Sequence, residues 1–243
     1  MEAVITTDRL TRKFGSFTAV NEISFEVMQG EIFGFLGANG AGKTTALRML
    51  TGLLSPSSGA ATVAGFDVWK HPEMVKKRIG YMSQKFSLYE DLSIRENIRL
   101  FGGIYGLSRP TIRAKTDDLL RKLDIAGEAD KLVGSLPLGW KQKLAFSAAL
   151  IHEPRVVFLD EPTSGVDPLT RRQFWELIYQ AAADGVTLMV TTHYMEEAEY
   201  CDRLSMMVDG RIEALDTPSQ LKKQYSATNM DEVFRAIARK TEP

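Results

Sequence analysis

A glycine-rich run near residue 40 constrains the fold of this chain more than any other feature. Residues 37–44 read GANGAGKT, which fits the phosphate-cradling pattern of glycine, four residues and Gly-Lys-Thr. Glycine lets several backbone N–H groups approach phosphate oxygens, and it adopts the positive φ angles that such a loop needs. Lys43 would reach the β- and γ-phosphates, and the Thr44 hydroxyl would complete a Mg²⁺ shell.

The sequence on either side of this loop supports the motif. Residues 31–36 form an apolar run between two glycines, as a buried strand would. Residues 45–54 then place Leu47, Leu50 and Leu54 at helical spacing. Strand, loop and helix in this order predict an α/β core of the P-loop NTPase kind, and the alternative is a glycine-rich turn with no ligand.

A second apolar run ends in two acids. Residues 155–161 read RVVFLDE, which is typical of a buried parallel strand that delivers carboxylates to its C-terminal edge, where open α/β sheets place ligands. Asp160 could hold the Mg²⁺ shell, and Glu161 could polarise a water for attack on the γ-phosphate. The alternative is a capped strand end before Pro162.

Three further residues have more than one reading on sequence alone. Phe14 could stack on adenine or fill core or turn space. Gln84 follows a strand predicted at 79–82 and could ligate Mg²⁺, hold a water or make an ordinary loop hydrogen bond. His193 ends a strand predicted at 186–192 and could contact the γ-phosphate or be structural.

The rest of the chain predicts further elements and a division into two parts. The first part is 1–216, with an all-helical block inserted at about 87–150, and the second is a C-terminal helical extension, 217–243. The predicted elements are antiparallel strands over 3–30, a hairpin at 59–69, a helix at 72–78, helices from the Ser93–Glu96 capping box, from Pro110 and over 140–152, a helix after Pro168, strands at 204–208 and 212–215, and helices from Thr217 and over 229–240. The apolar face of the last helix is expected to pack on this domain or on a partner.

Composition limits the other possibilities. Among 243 residues, 30 Lys and Arg balance 31 Asp and Glu, for a net charge of −1, so no bulk electrostatics favour nucleic acid as a partner. Cys201 is the single cysteine, which excludes an intrachain disulfide and favours a reducing compartment. No apolar run is long enough to span a bilayer and the N-terminus has no signal pattern, so a soluble cytosolic chain is expected.

At this point the chain resembles the nucleotide-binding domain of the ATP-binding cassette (ABC) transporter family, over nearly its whole length. The phosphate loop, the helical insertion and the acidic strand end follow in the family's order. Residues 81–89 (YMSQKFSLY) and 191–202 (TTHYMEEAEYCD) resemble most the ATPases of type-2 bacterial exporters of drugs and hydrophobic compounds. The resemblance implies an ATPase with a mostly parallel sheet, an antiparallel β-subdomain and an inserted α-helical subdomain.

The resemblance also implies partners and residue roles. ATP would lie between two cassettes facing head to tail, which drive a membrane permease and are held by it at the inner face of the cell membrane. The permease would dock near Gln84, which would give Phe86, Leu88 and Tyr89 a reason to be exposed, whereas sequence alone favours buried filling. Catalysis would involve Glu161, Gln84 and His193, and Mg²⁺ would be held by Thr44, Gln84 and Asp160. The turn at 164–167 would contact the opposing cassette across the dimer. The residues that bind ATP would be Phe14, Gly37, Asn39, Gly40, Ala41, Gly42, Lys43, Thr44, Thr45 and Gly139.

One segment departs from the family pattern. The family's Leu-Ser-Gly-Gly-Gln signature, which caps the opposing γ-phosphate, aligns with LPLGW at 136–140. Pro137 has neither the hydroxyl nor an N–H donor, and Leu138 adds a side chain, whereas Gly139 remains. We expect either that this chain hydrolyses ATP only opposite an intact signature, or that its subfamily tolerates the change.

Two other function classes follow from the same residues. A module that holds ATP without hydrolysing it is favoured by the altered signature. It is disfavoured by the complete phosphate loop and by the two acids, Asp160 and Glu161, at the strand end. A soluble ABC protein acting on ribosomes or DNA is disfavoured by a single near-neutral cassette. Co-purification separates transport from that last class, because a transporter subunit pellets with membranes when its permease is present and a ribosome factor follows ribosomes.

Overall fold

The computed structural model describes residues 2–84, 88–123 and 125–241, without the side chains of residues 126, 240 and 241. The strands are β1 (Ala3–Phe14), β2 (Phe17–Met28), β3 (Ile32–Gly37), β4 (Ser58–Val63), β5 (Phe66–Asp67), β6 (Ile79–Met82), β7 (Val156–Asp160), β8 (Thr187–Thr192), β9 (Arg203–Val208) and β10 (Arg211–Asp216). The helices are α1 (Lys43–Leu50), α2 (Pro72–Lys76), α3 (Ile94–Ile104), α4 (Arg109–Lys122), α5 (Leu138–Leu150), α6 (Pro168–Ala183), α7 (Pro218–Gln224) and α8 (Met230–Thr241).

The strands form two sheets. The larger one has the order β10-β9-β3-β8-β7-β6 and is parallel except for the antiparallel β9–β10 pair. The smaller one has the order β2-β1-β4-β5 and is antiparallel throughout. The mostly parallel core and the antiparallel β-sheet predicted from the sequence are therefore confirmed.

Strand β3 lies inside the larger sheet and faces apolar layers on both sides. Phe33 and Phe35 point to the core shared with the smaller sheet and α1, where Phe25 stacks on Phe33 with centroids 5.4 Å apart. Ile32 points to the opposite layer, which contains residues of α3 to α6. Apolar side chains on successive residues explain why this strand reads as a continuous run and not as an alternation.

Helices α3, α4 and α5 lie between β6 and β7 in the chain, as the predicted helical block requires. Ser93 accepts a hydrogen bond from the backbone N–H of Glu96, whose carboxylate accepts one in return, so the capping box is confirmed. Before this block, Leu88 is buried, as filling would be, whereas Tyr89 is 54% exposed, as a docking residue would be. Phe86 lies outside the described residues.

Several predicted helix boundaries are wrong, and two of them have a clear cause in the backbone. The first helix ends at Leu50 and not at Leu54, because Gly52 takes a φ of +70° and the N–H groups of Leu53 and Leu54 both return to the carbonyl of Arg48. Helix α5 begins at Leu138, ahead of the predicted Trp140, because the Pro137 carbonyl already accepts from Trp140 and Lys141. In the described part of the chain, no helix combines the length and apolar character needed to cross a membrane.

The C-terminal helices pack on this domain. Leu221 of α7 and Val233 and Ile237 of α8 share a buried cluster with Leu204 and Met206 of β9. The apolar face of the last helix was expected to pack either on this domain or on a partner, and in the structure it packs on this domain. Cys201 is buried in the other layer, with the residues of α3 to α6, and desolvation raises the pKa of its thiol well above the usual range.

A histidine joins the helical block to the larger sheet. The ring of His152, just after α5, stacks on Tyr105 at the end of α3 with centroids 3.5 Å apart. Its Nε2 lies 3.0 Å from the carbonyl oxygen of Ile79, so this nitrogen carries the proton and donates. Nδ1 is buried and has no hydrogen-bond partner among the described residues, and burial, assisted by Lys115, lowers the pKa of His152.

We expect the folded chain to lose stability as the pH falls below about 6.5, the ordinary histidine pKa, and on through the lower pKa of folded His152. In that window the unfolded chain binds the proton more readily, so acid favours unfolding. Melting temperatures measured between pH 8 and pH 5 should fall less steeply for His152→Gln than for the native chain. Parallel slopes for the two proteins would contradict the assignment.

Candidate active site

The glycine-rich loop connects β3 to α1 with a backbone that only glycine tolerates. Gly42 takes a φ of +106°, and a Cβ there would lie 2.3 Å from the carbonyl oxygen of Ala19. Gly40 takes a φ of +84° and has open space where its Cβ would be, and residues 38–40 are exposed. The loop therefore packs closely against Ala19 at Gly42 and is open to solvent at 38–40, as a loop that binds a ligand must be.

The N-terminus of α1 has no anion of its own. Gly42 supplies no capping side chain, and no acidic residue lies in the first turn of this helix. The N-termini of α3, α4, α6 and α7 are instead capped by side chains, those of Ser93, Ser108, Asp167 and Thr217. A phosphate group fits the position left at α1, where N–H groups and the helix dipole favour negative charge.

Lys43 is buried at the start of α1 and holds the loop. Its Nζ donates to the carbonyl oxygens of Gly37, 2.7 Å away, and Ala38, 3.1 Å away, and lies 3.8 Å from Oε1 of Glu161. Burial lowers the pKa of this ammonium, and the carboxylates of Glu161 and Asp160 oppose the shift. A buried cation beside an exposed loop is suited to bind a multiply charged anion.

The adjacent strands β7 and β8 end side by side and present Asp160. Asp160 pairs with Thr191 in the sheet register, and its Oδ1 accepts hydrogen bonds from Thr191 Oγ1 at 2.7 Å and Thr44 Oγ1 at 3.3 Å. Desolvation raises the pKa of this carboxyl, and both hydroxyl groups counter the shift. Thr44 and Asp160 thus bring two oxygen atoms together, a donor set that suits Mg²⁺ when phosphate and water complete the shell.

Sequence reasoning missed Thr191. Its hydroxyl donates to Asp160 and also accepts from the backbone N–H of Glu161 at 3.0 Å, so one side chain orients both acids. The available signal was the pair of threonines that ends a mostly apolar strand, since a polar residue buried at such a place must find partners. Those partners could be named only once β7 and β8 were known to be neighbours.

Glu161 is the residue on which the site converges. Its backbone takes a φ of +51°, an uncommon conformation for a residue with a side chain. Its Oε2 accepts a hydrogen bond from Gln84 Nε2 at 2.9 Å and lies 3.1 Å from His193 Nδ1, although that nitrogen lacks hydrogen-bond alignment. With Lys43 near the other oxygen, the structure brings Gln84, His193, Lys43 and Glu161 together.

Two predicted residues lie apart from this group. Phe14, at the tip of the β1–β2 hairpin, is 47% exposed and carries the Arg12 guanidinium 4.6 Å from its ring centroid, so it does not fill the core. Gly139 lies in the first turn of α5, where a Cβ would meet Thr170 Cγ2 at 2.3 Å, so close packing against α6 accounts for this glycine. Their contacts with nucleotide stay predictions.

The sequence matches one family and several named relatives. The ABC transporter family matches residues 20–164. The chain is 48% identical over 223 residues to the probable multidrug ABC transporter ATP-binding protein YbhF of Escherichia coli, covering 92% of this chain and 39% of that protein. It therefore spans about two-fifths of that relative's length.

Another relative is matched over more of its own length. The chain is 38% identical to the Nod factor export ATP-binding protein I of Paraburkholderia xenovorans, covering 96% of this chain and 77% of that protein. A solved structure described as the ATP-binding subunit of an ABC transporter superposes with a TM-score of 0.87 at 28% identity, over 97% of this chain and 99% of that one. Sequence, fold and the geometry of the phosphate loop agree, and the chain belongs to the ABC transporter family.

Proposed function

We propose that this chain binds MgATP and hydrolyses it as the ATP-binding subunit or domain of an ABC transporter that exports drugs or other hydrophobic compounds. The observation that supports hydrolysis best is the placement of Glu161 between Lys43, Gln84 and His193 at the edge of the parallel sheet. A carboxylate in that position can accept a proton from an attacking water. The names of the relatives support export.

Lys43 binds the phosphate groups by exchanging its present partners. Its ammonium leaves the carbonyl oxygens of Gly37 and Ala38 for the β- and γ-phosphate oxygens, so binding replaces two neutral acceptors by anionic ones. The backbone N–H groups of the loop and of the first turn of α1 surround the same anion. Adenine stacks on the half-exposed ring of Phe14, beside the guanidinium of Arg12.

Thr44, Asp160 and Gln84 hold Mg²⁺ in this proposal. When bound, this ion neutralises charge on the β- and γ-phosphate oxygens. The Gln84 amide now donates to Glu161, so it must turn its oxygen toward the ion to act as a ligand. Thr44 needs no such change, because its hydroxyl already lies beside Asp160.

Glu161 acts as the general base, and its neighbours restrain it beforehand. One oxygen faces the Lys43 ammonium and the other faces Gln84 and His193. Movement of Lys43 to phosphate removes one of these contacts and frees that oxygen for a water. His193, which is partly exposed beside Glu161, contacts the γ-phosphate.

The proposal includes the assembly. A permease in the membrane holds this chain at the cytoplasmic face, and a second cassette, identical or different, closes over the nucleotide. Within the chain, residues 1–216 form the cassette, with the helical block at about 87–150, and residues 217–243 form the extension. The exposed ring of Tyr89, between Gln84 and α3 in the chain, belongs to the permease-docking surface.

The altered signature favours a second candidate, a cassette active only opposite a different partner. Pro137 precedes α5 without a side-chain cap for this helix, and Leu138 is 46% exposed. The missing hydroxyl and N–H remove one or two hydrogen bonds to the opposing γ-phosphate, which corresponds to roughly 2–5 kcal/mol for a charged acceptor. In this candidate the chain serves as a regulatory half-site, and its own ATP is hydrolysed only when a different cassette supplies an intact signature.

Light scattering of Glu161→Gln with MgATP separates the two candidates, because a non-hydrolysing site keeps a closed dimer intact. A dimer means that the Pro137–Leu138 signature closes on ATP and supports a homodimeric ATPase. A monomer at saturating ATP supports the half-site, and restoring Pro137→Ser with Leu138→Gly should then produce the dimer. Turnover by the unaltered chain alone at about 1 s⁻¹ or faster, in the ordinary enzyme range, contradicts the half-site.

A further inference from the structure

A fully buried carboxylate lies close to the active site but contacts none of its reacting groups. Glu197 lies in the short 3-10 helix Met195–Tyr200, which follows His193, and its side chain is 0% exposed. Burying a carboxylate costs several kcal/mol unless charge and hydrogen bonds compensate. The partners of Glu197 therefore indicate why it is there.

Those partners come from two other elements. Thr163 Oγ1, in the turn after β7, donates a hydrogen bond to Glu197 Oε1. The Arg171 Nε on α6 lies 3.6 Å from the same oxygen, and the Arg171 guanidinium lies 4.1 Å from the ring centroid of Tyr194. One carboxylate thus joins the end of β7, the start of α6 and the segment after β8.

Two of these segments, the turn after β7 and the segment after β8, lie next to residues of the proposed reaction. Thr163 is two residues after Glu161, whose carbonyl oxygen accepts from the backbone N–H of Ser164 at 3.1 Å. The Tyr194 ring lies 4.2 Å from the ring of His193. Through Thr163 and Tyr194, the position of Glu197 is coupled to the backbone of the base and to the imidazole beside it.

Stability alone does not account for this arrangement. Replacing a buried ion pair by apolar side chains is often neutral or stabilising, so a well-packed leucine would serve a core position as well. Glu197 Oε2 has no hydrogen-bond partner among the described residues, which adds a desolvation cost. A directional acceptor does what an apolar group cannot, because it fixes the orientation of the hydroxyl and of the turn that carries it.

We propose that Glu197 is a positioning residue, which holds the turn after Glu161 and the His193 segment in one mutual arrangement through Thr163 and Arg171. The part that concerns turnover rests on the proposed function. The mechanical part, that the two segments move together, stands on the contacts alone. Glu197 touches neither phosphate nor the attacking water and takes no part in proton transfer.

The first test measures the coupling without any catalysis. In amide hydrogen exchange, Thr163→Val should speed exchange by roughly fivefold or more both at 162–166 and at 194–200, because the hydroxyl that joins them is lost. Thr163→Ser, which keeps the hydroxyl, should exchange as the native chain does. Faster exchange confined to 162–166, or equal exchange in the serine and valine variants, overturns the proposal.

The second test measures turnover in the chain with the partner that supports hydrolysis. Thr163→Val and Glu197→Gln should each lower kcat roughly tenfold or more with KM for ATP changed less than twofold, since small misplacements of a catalytic group have large effects. Thr163→Ser should keep native kcat, and the double variant should fall no further than either single one. Unchanged kcat in folded variants, or effects that multiply, overturns the proposal.

The two tests distinguish this inference from the proposed function. Absence of turnover in the native chain with every partner tried contradicts hydrolysis and leaves the exchange result to decide the coupling. If Glu197→Gln fails to fold, as judged by its melting curve, the valine and serine variants at Thr163 still give the answer. Valine keeps the volume of threonine and loses the hydroxyl, whereas serine keeps the hydroxyl and loses a methyl group. A general loss of packing would therefore appear in the serine variant, and loss of the hydrogen bond to Glu197 in the valine variant.

Discussion

Glu161→Gln is expected to lower ATP turnover by roughly 10²–10⁴-fold, the usual contribution of a positioned general base. Glutamine has nearly the same shape and keeps an oxygen that can accept from Gln84, but it cannot take a proton from water at neutral pH. The measurement is phosphate release under saturating MgATP. Full activity in this variant removes Glu161 from the mechanism.

Binding should survive the same substitution. Glu161 faces the Lys43 ammonium at 3.8 Å, so removing the carboxylate leaves that cation free for phosphate. The dissociation constant of ATP, measured by calorimetry, should stay the same or decrease. Glu176→Gln is the matched control, because it makes the same chemical change at an exposed position on α6. Equal losses of turnover in the two variants would point to a general effect of charge.

Lys43→Ala is expected to weaken ATP binding by roughly 10- to 100-fold, which corresponds to the loss of about 1.5–3 kcal/mol in hydrogen bonds to a charged group. The residue is buried at the loop, and no other lysine or arginine in the described part of the chain is as buried. Calorimetric titration with MgATP measures the effect, and Lys13→Ala, an exposed change on β1, serves as the control.

The outcome must be separated from damage to the loop. Lys43 also donates to the carbonyl oxygens of Gly37 and Ala38, so its removal loosens the loop as well as the ligand contact. A melting temperature near that of the native chain, without ATP, shows that the domain still folds. Native affinity for ATP in Lys43→Ala would contradict the assigned role.

Local signals in the sequence predicted much of this fold for physical reasons. The phosphate loop, the capping box at Ser93 and the apolar run ending at Asp160 each depend on residues close together in the chain. They could be assigned without knowing the topology. Helix ends were less predictable, because Gly52 and Pro137 set them through backbone conformations that periodicity does not reveal.

Contacts across the sheet edge could not be predicted in the same way. The Gln84–Glu161 hydrogen bond joins residues 77 positions apart, and the Thr191–Asp160 bond joins residues 31 apart. Both depend on β6, β7 and β8 being neighbours in a fixed register. The sequence alone left Gln84 and His193 open between a functional and a structural role, and the resemblance to the family favoured the functional one. Thr191 became evident only from the three-dimensional arrangement.

The burial of Cys201 has a practical consequence for measuring cassette closure. A thiol reacts with maleimides and spin-label reagents as its thiolate, and burial together with a raised pKa suppresses both access and ionisation. Because the sequence contains one cysteine, the native background should remain unlabelled. A cysteine placed at the exposed Leu169 would then carry the label, and distances between two chains could be followed from the open to the nucleotide-bound state in an otherwise unaltered protein.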